Sequence, residues 1–282
     1  MKRMRTFPAF PPAIVAALFA MLATSVPACA ASSDWVEGNN VRIRLVSTTT
    51  DATSGPNAAV EIELAPGWKT YWRSPGDAGM APVFDFSRSS NLKGVTVGFP
   101  PPEREDDGFT VSNIFSDRVV LPLTVEAADP AKPVDLSMKL DLGVCEEICI
   151  PVSLEAGVAV EQSGTDADAA ALIKDAAAAL PGPAEAGKFD IDGVKRTGGD
   201  DNEPVFEFQA HVPDPGSTEI FVEGPAGWYP DVPKPVPGTA GSPATWRFTF
   251  DRLGATTPIA KAPIRFTVVS GGRAIEETVT LD

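Results

Sequence analysis

The sequence predicts an all-β protein: two antiparallel β-sandwiches joined by a short helical linker. Three observations predict it. Short apolar runs recur at close intervals between clusters of Gly, Pro, Asn and Asp, which is how strands and turns read when no helices lie between them. Only residues 165–180 break the pattern, with an alanine-rich run. The chain has 282 residues, and once its leader-like start is set aside the remainder suits two domains of ordinary size.

In chain order, residues 1–30 read as a secretory signal. Lys2, Arg3 and Arg5 give a positive start, Ala13 to Val26 is apolar, and Ala28-Cys29-Ala30 offers small residues for cleavage. The apolar run of about 14 residues is short of the roughly 18 needed to span a bilayer, so the mature chain is expected to be exported and to carry no transmembrane segment. Pro27 suits a lipoprotein processing site poorly, which argues against anchoring through Cys29. Losing the segment removes three basic residues and no acid, taking the net charge from −15 to −18. Such a surface repels nucleic acid and anionic lipid, and neither is expected as a partner.

Residues 31–162 form the first expected domain. Val41 to Val46, Ala58 to Leu64 and Val134 to Leu142 alternate with period two, while Val119 to Val125 is more continuously apolar. Residues 163–186 form the linker: Thr165 or Asp166 can cap a helix that Pro181-Gly182-Pro183 stops. Residues 187–282 return to strands at Val205 to Val212, Thr218 to Glu223, Thr245 to Phe250, Ala262 to Val269 and Ala274 to Leu281. Pro66-Gly67-Trp68 and Ala226-Gly227-Trp228 echo each other across the halves, and a tight turn leading into a buried aromatic accounts for both.

The chemistry hangs on Gly143-Val144-Cys145-Glu146-Glu147-Ile148-Cys149-Ile150-Pro151. With Cys29 removed, Cys145 and Cys149 are the remaining cysteines. On one extended strand their Cα atoms would lie roughly 13 Å apart, against the 4.4–6.8 Å or so that a disulfide tolerates. If they bond, Glu146-Glu147-Ile148 must close a tight turn, so the pair belongs where the strand Val134 to Leu142 ends and Ile150 to Val160 returns. As a mere staple, a loop of about five residues contributes roughly 2 kcal/mol. A small, exposed ring is also the kind of disulfide that exchanges. Staple and redox pair therefore both stand on spacing alone. Zinc does not, because two thiolates and the distant His211 cannot supply four ligands; no metal and no cofactor are expected. Glu146 and Glu147 disfavour a neighbouring thiolate, and a thiol pKa well below about 8 would overturn that expectation. His211, in a strand-like run, reads as an ordinary surface or core histidine.

Two further stretches are unusual. Gly67-Trp68-Lys69-Thr70-Tyr71-Trp72-Arg73-Ser74-Pro75-Gly76-Asp77 concentrates aromatics that by default are core or cross-strand packing. Glu103-Arg104-Glu105-Asp106-Asp107-Gly108-Phe109 is an acidic loop ending in a large apolar residue.

Together with Phe115 to Thr124 and the cysteine pair, these stretches resemble the N-terminal periplasmic domain of the thiol:disulfide interchange protein DsbD, in the two-sandwich form found in ScsB-type reductases. The likeness covers about residues 35–161 well and the second domain loosely. It implies an immunoglobulin-like fold for both sandwiches and a periplasmic redox module, a protein-disulfide reductase component. Its Cys145–Cys149 pair would take electrons from a membrane-embedded thiol reductase and pass them to periplasmic thioredoxin-fold proteins that repair disulfides or serve cytochrome c biogenesis. By the same resemblance Phe109, with Asp106 and Asp107 before it, matches a cap loop over the pair, and Tyr71 an aromatic beside it. This chain has three residues between its cysteines where the best-known DsbD domain has five, and Gly108 shifts the cap aromatic by one position. It carries neither the membrane domain nor the thioredoxin domain of the full protein, so separate proteins would have to supply and remove the electrons. The competing reading is a periplasmic binding or assembly module whose disulfide only pins a turn.

Overall fold

The computed structural model describes residues 32–49, 55–161, 166–238 and 243–281. The leader-like segment with Cys29, and Thr165, lie outside them. Strands β1 (Val36–Glu37), β2 (Val41–Ser47), β3 (Ala58–Leu64), β9 (Arg118–Ala127) and β6 (Leu92–Val97) form one antiparallel sheet in that order. Facing it is a second sheet, ordered β11 (Cys149–Val160), β10 (Val134–Cys145), β4 (Lys69–Gly76), β8 (Val111–Ser116) and β7 (Glu103–Asp106), with β5 (Val83–Asp85) beside β10.

The period-two pattern decides which face is inside. Val41, Ile43 and Leu45 of β2 point inward, while Arg42 and Arg44 point out and bond Glu63 and Glu61 of β3. Val134, Leu136, Met138, Leu140 and Leu142 of β10 fill the same core from the opposite sheet, with Trp72 fully buried among them.

The second sandwich has one sheet of β12 (Gly182–Pro183), β20 (Arg273–Thr280), β19 (Pro263–Ser270) and β15 (Glu219–Glu223). Its other sheet holds β13 (Asp190–Gly198), β14 (Val205–His211), β18 (Ala244–Asp251) and β16 (Tyr229–Pro230), with β17 (Lys234–Pro235) beside β18. Pairing is antiparallel except for the two-residue contact of β12 with β20, which is parallel. Phe206, Phe208, Phe248, Phe250 and Phe266 interlock at the centre of this core. In both halves the echoed tripeptide closes a turn, Trp68 N–H donating to Ala65 O and Trp228 N–H to Pro225 O. Trp228 is buried, whereas Trp68 is half-buried.

Helix α1 (Ala167–Ala178) starts at Asp166, whose carboxylate accepts from the backbone N–H groups of Asp168 and Ala169. It is not a free linker. Ala169 and Ile173 pack on Val46 and Ala59, on the outer face of the first sheet.

The two sandwiches meet along β4 and β15. Phe221 of β15 joins the first core, its ring 5.6 Å from that of Trp72. Arg73 donates to Glu223 and Glu276, and Arg104 donates to Ile220 O at 2.8 Å. An open cleft of about 960 Å³ lies between the halves, bordered by Gly76, Asp77 and Gly79 on one side and by Trp228, Tyr229 and Asp231 on the other.

Candidate redox site

The ladder between β10 and β11 runs without a break from Val134 opposite Val160 to Cys145 opposite Cys149. The cysteines are thus the last cross-strand pair of a long hairpin, with Glu146-Glu147-Ile148 as its loop. They are disulfide-bonded, with Cα atoms 4.2 Å apart, and Glu146 N–H donates to Ile148 O inside the loop. The strand ends where the spacing of the cysteines requires.

The two sulfurs differ in access. Cys145 is 1% exposed, whereas Cys149 lies on the exposed side with Glu146, Glu147 and Ile148. β10 also pairs with β4, placing Cys145 opposite Lys69 and Val144 opposite Thr70. Alternation then sorts β4 into two faces: Thr70 and Trp72 are buried on the core side, and Lys69 and Tyr71 share the outer face with the disulfide.

Tyr71 is the inner wall of the site. Its hydroxyl donates to Cys145 Sγ at 3.2 Å and lies 3.3 Å from Cys149 Sγ. The ring, 4% exposed, packs with Ile114 and Cys145. It is wedged against backbone: a Cβ on Gly79 would stand 2.4 Å from Tyr71 Cε1, and one on Gly143 would stand 3.3 Å from Cδ2. Only glycine at position 79 leaves room for the ring. Burial holds the Tyr71 hydroxyl above its ordinary pKa of 10.0, with Lys69 lowering it and Glu105 raising it, so it stays protonated and can donate to sulfur.

Lys69 and Glu105 carry no motif that marks them as site residues. Lys69 Nζ is ion-paired with Glu105 of β7, and the two side chains are 22% and 41% exposed. No pattern in the sequence reveals this pair, because it depends on the register of β4, β8 and β7.

Asp106, Asp107 and Phe109 form the tip of the β7–β8 hairpin. Asp106 accepts from Gly108 N–H, and Asp107 accepts from the N–H groups of Phe109 and Thr110, each at 2.8 Å. These bonds hold the Asp107 carboxyl below the usual aspartate range. Gly108 has φ of +83°, a conformation that glycine adopts without strain. The Phe109 ring is 96% exposed. It stands in solvent and does not cover the sulfurs in this conformation. Tyr71, by contrast, is brought against both. His211 bonds Asp190 at 2.7 Å in the second sandwich and belongs to no part of this site. Among the described residues no group of His, Cys, Asp or Glu is arranged to hold a metal ion, and no helix is long and apolar enough to cross a membrane.

Comparison with known proteins bears on this geometry. The family model described as thiol:disulfide interchange protein DsbD, N-terminal, matches residues 42–156. Among solved structures, the chain is similar to the N-terminal periplasmic domain of ScsB from Proteus mirabilis, at 21% identity and a TM-score of 0.69. The match covers 89% of this chain and 98% of that one, and so extends over both sandwiches. No curated protein matches the chain. The family match thus takes in the cysteine pair and the loop between the two cysteines: residues 42–156 are similar to the N-terminal domain of the thiol:disulfide interchange protein DsbD.

Proposed function

We propose that this protein is a periplasmic electron-relay module, a protein-disulfide reductase component whose Cys145–Cys149 pair is reduced by a membrane-embedded thiol reductase and in turn reduces periplasmic thioredoxin-fold proteins. The observation that carries the reading is the asymmetry of the pair: one exposed sulfur, one buried sulfur, and a single hydroxyl serving both. Attack on a disulfide needs an open line to one sulfur and a stabilised leaving thiolate at the other. Cys149 offers the first and Cys145, beside Tyr71, the second.

The reaction follows from that assignment. A partner thiolate attacks Cys149 Sγ, the Cys145–Cys149 bond breaks, and its electron pair leaves on Cys145 Sγ. Tyr71 donates a hydrogen bond to the new thiolate. The partner's second thiolate then attacks its own sulfur in the mixed disulfide and releases Cys149, leaving the partner oxidised and this pair reduced. Water supplies the protons that the two thiolates take up. Delivery to an acceptor disulfide runs the same steps in reverse.

The expectation of a cap is retained within this proposal: Asp106, Asp107 and Phe109 form a loop, open in this conformation, that closes over Cys149. Covering a fully exposed phenylalanine ring stabilises the closed form by about 2 kcal/mol. Ile148, 68% exposed, and Met80, 37% exposed, are apolar surfaces on the site's side of the molecule. With Phe109→Ala the reduced pair is expected to oxidise faster in air, and an unchanged rate would place the cap elsewhere.

The staple reading is the weaker one. The disulfide closes the tip of a hairpin that an unbroken ladder and a packed core already fix, so it constrains little that is otherwise free. The deciding experiment equilibrates the mature protein with glutathione or dithiothreitol buffers and traps free thiols. A reduction potential well above about −300 mV, with circular dichroism unchanged on reduction, supports relay. A lower potential, or unfolding on reduction, makes the bridge a staple.

A further inference from the structure

We propose that Lys69 is a positioning residue of the redox pair: its ammonium group supplies the countercharge that makes Cys145 the leaving thiolate, and Glu105 holds that ammonium in place while the disulfide is closed. The inference deepens the relay reading and rests on it.

Register carries the first step. Lys69 and Cys145 are direct partners across β4 and β10, and side chains directly opposite on antiparallel strands leave the same face with Cβ atoms about 4.5–5.5 Å apart. Tyr71, two residues along β4, shares that face and touches both sulfurs. The Lys69 side chain is therefore rooted opposite Cys145 and, at 22% exposed, mostly covered; its ammonium runs across β8 to Glu105, and its charge reaches the Tyr71 hydroxyl.

The charges around the pair carry the second. On β4 stand Lys69 and the neutral Tyr71. From β7 comes Glu105, bound to Lys69, while Glu103 is turned to Ser116 Oγ at 3.1 Å. At the hairpin tip of β7 and β8, Asp107 is occupied by the backbone of Phe109 and Thr110 and feels Lys69 weakly. Glu146 and Glu147 flank the pair from the β10–β11 loop, exposed to water. Lys69 is thus the one cation among these groups, rooted on the strand position opposite the buried sulfur, while both loop glutamates are exposed to water. A thiolate forming at Cys145 has Lys69 opposite it on the neighbouring strand and the Tyr71 hydroxyl against it, whereas Cys149 lies on the water-exposed side with Glu146, Glu147 and Ile148. In the exchange step described above, the electron pair of the broken S–S bond goes to Cys145 Sγ, and a leaving thiol of lower pKa leaves faster. Glu105 gives the ammonium a partner until that charge appears.

The test uses the mature protein with Cys149→Ser, so that Cys145 titrates alone, and reads its pKa from the pH dependence of iodoacetamide alkylation. Lys69→Met is expected to raise that pKa by roughly one unit, a tenfold loss of thiolate below it, and Lys69→Arg to restore it. Glu105→Gln, which releases the ammonium, is expected to move the pKa down. In the two-cysteine protein the same substitutions should shift the reduction potential in opposite directions, more negative for Lys69→Met and less negative for Glu105→Gln, because a stabilised thiolate favours the reduced form. A Cys145 pKa unchanged in both variants, with the fold intact by circular dichroism, overturns the proposal. Should Lys69→Met fail to fold, Glu105→Gln decides by the sign of its shift. A pair that cannot be reduced without unfolding defeats the relay reading instead, and the single-cysteine pKa still tests Lys69 separately.

Discussion

Tyr71 shows how much of this site rests on single side chains. Its hydroxyl serves both sulfurs while its ring is fixed between Gly79 and Gly143, so the two halves of the residue can be separated by substitution. Tyr71→Phe keeps the packing and removes one hydrogen bond, worth about 1 kcal/mol or roughly a fivefold change in an equilibrium. The mutant is expected to fold normally and to shift the thiol–disulfide equilibrium with glutathione fivefold toward the disulfide. Gly79→Ala should disturb the packing as well. Its Cβ cannot coexist with the ring where it stands, so it is expected to lower the melting temperature and to displace the hydroxyl from the sulfurs, which thiol trapping and calorimetry together detect. Asp107 supplies a pH dependence. Hydrogen bonds from Thr110 and Phe109 depress its pKa in the folded state below the ordinary 3.8, so its contribution to the loop is present above that value and lost as the pH falls through the folded pKa. Faster amide exchange at Phe109 and Thr110, after correction for intrinsic rates, is expected at the acid end and not near neutrality.

At the scale of elements, the hairpin of β10 and β11 places the cysteines and the helix does something the sequence did not disclose. The alternation of Val134 to Leu142 and of Ile150 to Val160 was legible, and so was the break between them, because a disulfide cannot form along one straight strand. Strand β4 was legible only in part. Its alternation separates Lys69, Tyr71 and Arg73 from Thr70 and Trp72, yet nothing in it says which neighbour each face meets. For α1, the alanine-rich run and the capping Asp166 gave the helix, but its packing on Val46 and Ala59 is set by outward-facing apolar positions of β2 and β3. Asp166→Ala is expected to cost about 1 kcal/mol. Ile173→Ala, 3% exposed against the first sheet, is expected to cost about 2–4 kcal/mol. Chemical denaturation of both variants checks the ratio, and a negligible effect of Ile173→Ala would mean that the helix does not dock in solution.

At the scale of the whole molecule, Arg73 ties the sandwiches together. Its side chain is 16% exposed and bridges Glu223 and Glu276, which are 17% and 32% exposed. Removing the guanidinium leaves two partly buried carboxylates facing each other, and breaking such a pair is strongly destabilising when it is fully buried; with this residual exposure about 2 kcal/mol is expected. Arg73→Ala should loosen the contact between the halves, seen as a larger radius of gyration in small-angle scattering and faster amide exchange at the Phe221 edge. The potential of the cysteine pair should stay the same, since Arg73 touches neither sulfur.

The fold class, most of the strands, the capped helix and the cysteine pair at the end of a strand were legible in the chain, because each of these follows from local periodicity, capping or covalent reach. Resemblance added Tyr71 and the acidic loop to the expected site. Tertiary structure alone decided that Cys145 is buried and Cys149 exposed, that Phe109 stands open, that Lys69 and Glu105 meet beside the disulfide, and that Arg73 spans the two halves. Those facts depend on which strands become neighbours and in what register. A register is fixed by the whole apolar core finding its inside face at once, and no single stretch of sequence contains that information.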